Sequence, residues 1–211
     1  MLRRDFLWLL PGMAGTAWLS GCATDPVTGK KSFVMMDKNQ EVALDKQHSP
    51  HQYSEDYGIL QDTALNGYIA SVGQRMAGST HRADMPYAFN GVNANYVNAY
   101  AFPGGSIACT RGILLELESE DQLSALLGHE LGHVNARHFA EAQAKSTLVD
   151  LAVAGVTIAA TSKNAEYGQI AQMVGGLGGG ALLAKYSRDN EREADALGME
   201  YMTRAGYNPQ G

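Results

Sequence analysis

Leu65, Tyr68, Ile69, Val72 and Met76 recur at i, i+3, i+4, i+7 and i+11. That spacing predicts an amphipathic helix over residues 60–78, stopped at Gly78. The polar run 38–48 also reads as helical. Between 86 and 112 the period changes. "PYAFNGVNANYVNAYAFPGGSIACTRG" is rich in aromatics, Asn and Gly, with Pro103-Gly104-Gly105 as a turn signal, and predicts two or three short antiparallel strands. The helical period returns with Leu123, Leu126, Leu127, Leu131 and Val134. Ser119 and Gln122 give this helix an S-x-x-Q capping box, and Glu120 and Asp121 suit the positive end of its dipole. A last helix is predicted from about Ser187 to Ala205, closed by Gly206 and Pro209. The pattern is that of a mainly helical α+β domain with a small antiparallel sheet, over residues 38–211.

Two further apolar stretches need separate treatment. Residues 148–160 contain Asp150, and residues 170–184 contain Gln172 and five glycines. Neither reaches the roughly 20 clean apolar residues of a membrane span. They read as buried helices with a glycine-rich join, and the alternative is a segment that dips into a membrane surface. The join at 175–180 is a candidate for a mobile gate.

The first residues have a different layout. "MLRRDF" is basic, "LWLLPGMAGTAWL" is apolar, and "LSGC" ends at Cys22. This is the arrangement of a secretory signal, and "LSGC" resembles the lipobox at which bacteria lipidate a cysteine. Residues 1–21 are then a signal peptide, Cys22 the lipidated residue, and 22–37, with Pro, Gly and no clear period, a tether. Ala23 after the cysteine points to the outer membrane, with the domain facing the periplasm. Arg3 and Arg4 also resemble a twin-arginine signal, so the export route stays open. With Cys22 lipidated, Cys109 has no cysteine to pair with, and its strand-like context reads as a buried hydrophobe. The net charge of −6 argues against nucleic acid as a partner, since phosphate binding wants a basic surface.

The chemistry is concentrated in "GHELGHVNARH", residues 128–138. On a helix His129 and His133 lie about 40° apart around the axis and about 6 Å apart along it, so both imidazoles can reach one ion. Zinc accepts nitrogen ligands at about 2.0–2.1 Å and keeps a position for water in catalytic sites. Glu130 can lean toward that water without ligating, which completes an H-E-x-x-H arrangement of two ligands and a general base. His138 falls off the ligand face of the wheel and reads as a packing or hydrogen-bonding residue. Gly128, Gly132 and Ala136 form a row at i, i+4, i+8. Each glycine costs about 1 kcal/mol against alanine in a helix, so the row predicts close approach of another backbone, either the helix bearing Glu191 or the segment after 148. The third ligand must come from elsewhere, as a histidine or an acid. Glu191 and Asp195 share a face with Ala194 and Tyr201 that looks inward, whereas Glu193 is turned away and should be solvated. The competing reading for Glu191 is a salt bridge to Arg188 or Arg137.

"HELGHVNARH" together with "YSRDNEREADALG" resembles the M48 family of zinc metallopeptidases, which includes CAAX-prenyl endoproteases and bacterial periplasmic proteases. "NAYAFPGGSIACTRGIL" resembles the strand and turn beside that family's cleft. The resemblance spans about residues 26–211. It implies a zincin-like fold, one Zn²⁺ per chain held by His129, His133 and Glu191, Glu130 as general base, and Asp195 as the paired acid that orients a ligand histidine. Residues near Asn98–Phe102 would then hold a peptide by strand addition, with an ordinary hairpin as the alternative. The implied function is hydrolysis of peptide bonds in cell-envelope proteins, in protein quality control. A zinc-containing chaperone or adaptor with little proteolytic activity is the second reading, and a non-proteolytic zinc hydrolase the third.

Overall fold

The computed structural model describes residues 22–161 and 186–210. The expectations for residues 1–21 and for the glycine-rich join lie outside the described residues. The elements run β1 (Cys22–Thr24), β2 (Lys31–Phe33), α1 (Lys38–Glu55), α2 (Thr63–Ala77), β3 (Ala88–Val92), β4 (Ala99–Ala101), β5 (Ser106–Thr110), α3 (Arg111–Leu114), α4 (Glu120–Asn135), α5 (His138–Thr161) and α6 (Arg188–Arg204). The architecture is the expected mainly helical α+β type.

Residues 22–37, expected as a tether, contain regular structure. β1 and β2 pair as an antiparallel hairpin. The chain that follows is docked on the body: Val34 is buried, and the Met36 carbonyl accepts from the Arg137 guanidinium. The stretch lacks a period because only isolated positions, Val27 and Val34, meet the core. Asp37 then starts α1 with a complete capping box with Gln40. The helix continues beyond 48, through Pro50, to Glu55.

The sheet is mixed rather than antiparallel throughout. Its order is β3-β5-β4, with β3 parallel and β4 antiparallel to the central β5. Pro103-Gly104-Gly105 turns β4 into β5. Gly105 has φ +105°, which only glycine adopts readily, and Asp45 of α1 receives the Ser106 amide at 2.8 Å. Parallel pairing of β3 and β5 is invisible to a residue pattern, because strand direction depends on the route of the chain between them. β4 is left as an edge strand beside α4.

The core lies between the sheet and α2, α4 and α6. Ile69, Val72 and Met76 of α2 pack with Phe89, Ile107 and Cys109 of the sheet, and with Leu127, Leu131, Leu197 and Tyr201. The predicted stripe of α2 is therefore correct in its last three members. Its first two members, Leu65 and Tyr68, are exposed, and the Tyr68 hydroxyl donates to Glu120 at 2.8 Å. Cys109 is fully buried, and burial pushes its thiol up to about 12. It is a packing residue and not a thiolate nucleophile. At the start of α4, Ser119 accepts from the Gln122 amide as expected, but the Gln122 side chain accepts from Glu118 instead of Ser119. α5 runs through the apolar stretch that begins at 148, and Leu148 and Val149 are exposed. Among the described residues no helix is long and apolar enough to cross a membrane.

The pairing of α4 with α6 sets the distance between the chemical motifs. A Cβ at Gly132 would lie 2.7 Å from the Ala194 carbonyl oxygen, one at Gly128 3.0 Å from that of Gly198, and one at Gly198 2.8 Å from the His129 nitrogen. The predicted close backbone is thus α6. A second constraint is a buried charge cluster: Glu41 of α1, 1% exposed, accepts from Arg137 Nε at 2.9 Å and from the Arg82 guanidinium.

Gly132→Leu is expected to abolish the cooperative thermal transition seen by circular dichroism, because the obstacle is backbone. Gly67→Leu, at an open position on α2, should keep it. Glu41→Ala strands two buried guanidinium groups and is expected to lower unfolding free energy by about 3–5 kcal/mol, measured by urea denaturation.

Candidate metal centre

α4 carries His129 and His133 one turn apart, and the first turn of α6 carries Glu191. Because the two helices touch at backbone level, these side chains meet. His129 Nε2 and His133 Nε2 are 3.0 Å apart. Glu191 places one oxygen 3.5 Å from His129 Nε2 and the other 3.9 Å from His133 Nε2. The three donor atoms lie within 4.8 Å of one another. A tetrahedral cation with bonds of about 2.0–2.2 Å separates its donors by roughly 3.3–3.6 Å, so this set suits a zinc-sized ion once the two rings part slightly and one Glu191 oxygen draws in by about an ångström. The competing partner for Glu191 is excluded in one case: Arg137 faces away and is engaged by Glu41.

Both imidazoles are held by their far nitrogens. His129 Nδ1 is 2.8 Å from Asp195 Oδ1, and His133 Nδ1 is 2.9 Å from His138 Nδ1. A proton on each ligand-side ring at Nδ1 leaves the Nε2 lone pair free to bind. Burial, and after it the positive charges that His129 and His138 can carry, lower His133 to about 3. A neutral ring is the form a metal requires. Asp195 is placed as expected for an acid that orients His129, but its carboxylate is 70% exposed. Glu191 and Asp195 sit at the open border of the buried Ala194–Tyr201 face and not within it.

Glu130 is next in sequence to His129 and is buried. Burial pushes its carboxyl up to about 8, with the charge of Glu191 adding to the effect. A divalent cation beside it acts in the opposite sense and favours the carboxylate. A group balanced between these influences is suited to take and return a proton near neutral pH.

Three side chains here escaped sequence reasoning. Tyr186, just before α6, stacks on His133 with centroids 4.3 Å apart and an interplanar angle of 22°. Its phenol is raised by burial, and then by the charges of Glu130 and Glu191, so it stays neutral. An aromatic five positions before Glu191 was its only signal. His138 is a hydrogen-bonding residue and not one of the converging donors, as expected, but its partner is His133 itself. α4 ends at Asn135, and Arg137 takes φ +59°. That left-handed residue turns the chain so that His138 opens α5 beneath His133. Glu193, expected in solvent, is partly covered and lies 3.2 Å from His138 Nε2. The start of α5 covers that side of α6, which a reading of α6 by itself could not show.

The model of peptidase family M48 matches residues 63–211, which contain every residue named at the centre. The chain is 29% identical over 189 residues to a β-barrel assembly-enhancing protease of Yersinia pestis, covering 88% of this chain and 38% of that one. It is 36% identical over 130 residues to the metalloprotease YcaL of Escherichia coli, covering 58% and 49%. A mitochondrial metalloendopeptidase of Schizosaccharomyces pombe matches 98% of the chain at 26% identity, over 60% of its own length. The chain thus spans well under half the length of the β-barrel assembly-enhancing proteases it matches. With two thirds of the sequence matched and both of its motifs brought to one point by α4 and α6, the chain belongs to peptidase family M48, a family of metallopeptidases.

Proposed function

We propose that this chain is a zinc-dependent endopeptidase of the bacterial cell envelope, acting on misfolded or misassembled envelope proteins. The observation that carries the reading is the convergence of His129, His133 and Glu191 with Glu130 adjoining them. Two imidazole nitrogens and one carboxylate are a donor set of catalytic zinc sites. When bound there, the ion supplies Lewis acidity toward water and the scissile carbonyl. His129 and His133 offer neutral Nε2 donors, and Asp195 keeps His129 in that tautomer. Glu130 removes the proton from the attacking water and delivers it to the departing amine. Tyr186 covers one face of His133 and excludes water from it. The edge strand β4, beside α4, offers its free backbone groups to an extended peptide.

The envelope setting has two supports. Several relatives are named for enhancing β-barrel assembly, and closed β-barrels of that kind belong to outer membranes. The sequence before Cys22 has the layout of a lipoprotein signal. Cys22 opens the β1–β2 hairpin, so a lipid on it would hold the catalytic body close to the membrane surface rather than on a long leash. In this reading the partners are a protein substrate and, through the anchor, the periplasmic face of the outer membrane.

Cleavage of casein by the purified chain, followed by gel densitometry, tests the reading. The wild type is expected to cleave and to stop on chelation, with activity restored by Zn²⁺. Glu130→Gln should retain about one Zn per chain by atomic absorption while losing at least 10²-fold in rate. Glu191→Ala should lose both metal and activity. A wild type that binds zinc but cleaves no unfolded protein would favour the chaperone or adaptor reading instead.

A further inference from the structure

His138 and Glu193 take no part in the proposed chemistry, yet they are arranged around it with directional contacts. His138 is 1% exposed. One of its nitrogens is 2.9 Å from His133 Nδ1, and the other is 3.2 Å from Glu193 Oε2. Tyr186 lies over both rings, with centroids 4.3 Å from His133 and 5.7 Å from His138. A buried imidazole with a partner at each nitrogen has a defined protonation pattern, because each contact needs one donor and one acceptor.

We infer that His138 and Glu193 form a relay that positions His133 as a metal ligand by fixing the proton on its Nδ1. This rests on the reading of His133 as a ligand. For Nε2 to bind a cation, the His133 proton must be on Nδ1. His133 then donates to His138 Nδ1, which must be unprotonated. The His138 proton is therefore on Nε2, where it donates to the Glu193 carboxylate. The opposite pattern, with His138 a cation donating from both nitrogens, would put the His133 proton on Nε2 and block ligation. Glu193 accepts from a neutral ring in the first pattern and from a cation in the second, so the distances alone are compatible with both. Convergence of His133 Nε2 with two other donors selects the first.

The relay completes a rule for α6. Glu191, Glu193 and Asp195 stand at alternate positions of one helix and serve three different groups: the cation, His133 through His138, and His129 directly. Alternate residues on a helix are about 200° apart, and no single flat partner could receive them. They all find partners because α4 and the first turn of α5 lie on different sides of α6, joined by the left-handed turn at Arg137. His129 and His133 are thereby held by equivalent devices of different length. Contacts of this kind typically change metal affinity 10–100-fold when removed.

The test uses the full chain loaded with Zn²⁺ and labelled with ¹⁵N-histidine. Long-range ¹H–¹⁵N spectra are expected to show His133 protonated at Nδ1 and His138 protonated at Nε2 only. Competition with a chromogenic chelator is expected to give Glu193→Ala, which removes the acceptor, a zinc dissociation constant about tenfold or more above wild type, with a thermal midpoint close to wild type. Its His138 signal should no longer report a single Nε2-protonated form, whereas Glu193→Gln, whose amide oxygen can still accept, should retain most of the affinity. Glu200→Ala, on the same helix and away from the centre, should leave both readouts unchanged. His138→Gln is a further variant and should weaken zinc binding at least as much as Glu193→Ala. A doubly protonated His138 would overturn the inference, as would wild-type affinity in a folded Glu193→Ala, and both would leave the metal centre standing. A wild-type chain that binds no zinc would overturn the centre and the relay together.

Discussion

Backbone contact between α4 and α6 is the constraint on which the rest of this structure depends. Gly128, Gly132 and Gly198 remove the side chains that would otherwise hold two helices about 8–10 Å apart, and the remaining gap admits no Cβ. Glycine is costly in a helix, so three of them along one interface represent a real loss of intrinsic helix stability. What is gained is reach. Glutamate and histidine side chains are short, and only at this separation do His129, His133 and Glu191 place their donor atoms within one coordination sphere. The apolar residues of both helices, Leu127, Leu131, Leu197 and Tyr201, lock the pair against the sheet and α2.

Around that contact the protein arranges a graded polarity. His133 and Glu130 are buried, Glu191 is half-exposed and Asp195 is mostly exposed. Solvent can therefore approach from one side while the His133 ring remains in a low-dielectric setting. The two shifts follow from the same burial: it keeps the His133 ring neutral and raises the Glu130 carboxyl. The buried Glu41–Arg82–Arg137 cluster serves the arrangement from a distance. It holds the Arg137 turn that ends α4 and begins α5, and so fixes where His138 lies.

Much of this was legible in the sequence, and for identifiable reasons. The stripes of α2 and α4, the H-E-x-x-H spacing and the glycine row are all consequences of one helix's own geometry, which a 100° rotation per residue expresses. Glu191 and Asp195 were candidates from their shared helix face, the motif resemblance assigned their roles, and the structure brings them to His129 and His133. What could not be read depended on how elements meet. The parallel pairing of β3 with β5 follows from the chain's path. The hairpin at 22–33 has too few buried positions to leave a period. Glu193 looked solvated because α6 was considered without α5 over it, and the partner of His138, expected to be a packing or hydrogen-bonding residue, could not be named because the wheel continued through Arg137, where the helix actually breaks.

Membership of peptidase family M48 and the His129–His133–Glu191 donor set are what the proposed zinc centre rests on. X-ray absorption at the zinc edge of the loaded full chain tests the central claim most directly. The account predicts a first shell of nitrogen and oxygen only, at about 2.0–2.2 Å, with multiple-scattering features of two imidazoles. A sulfur shell near 2.3 Å, or the signature of a single imidazole, would contradict it.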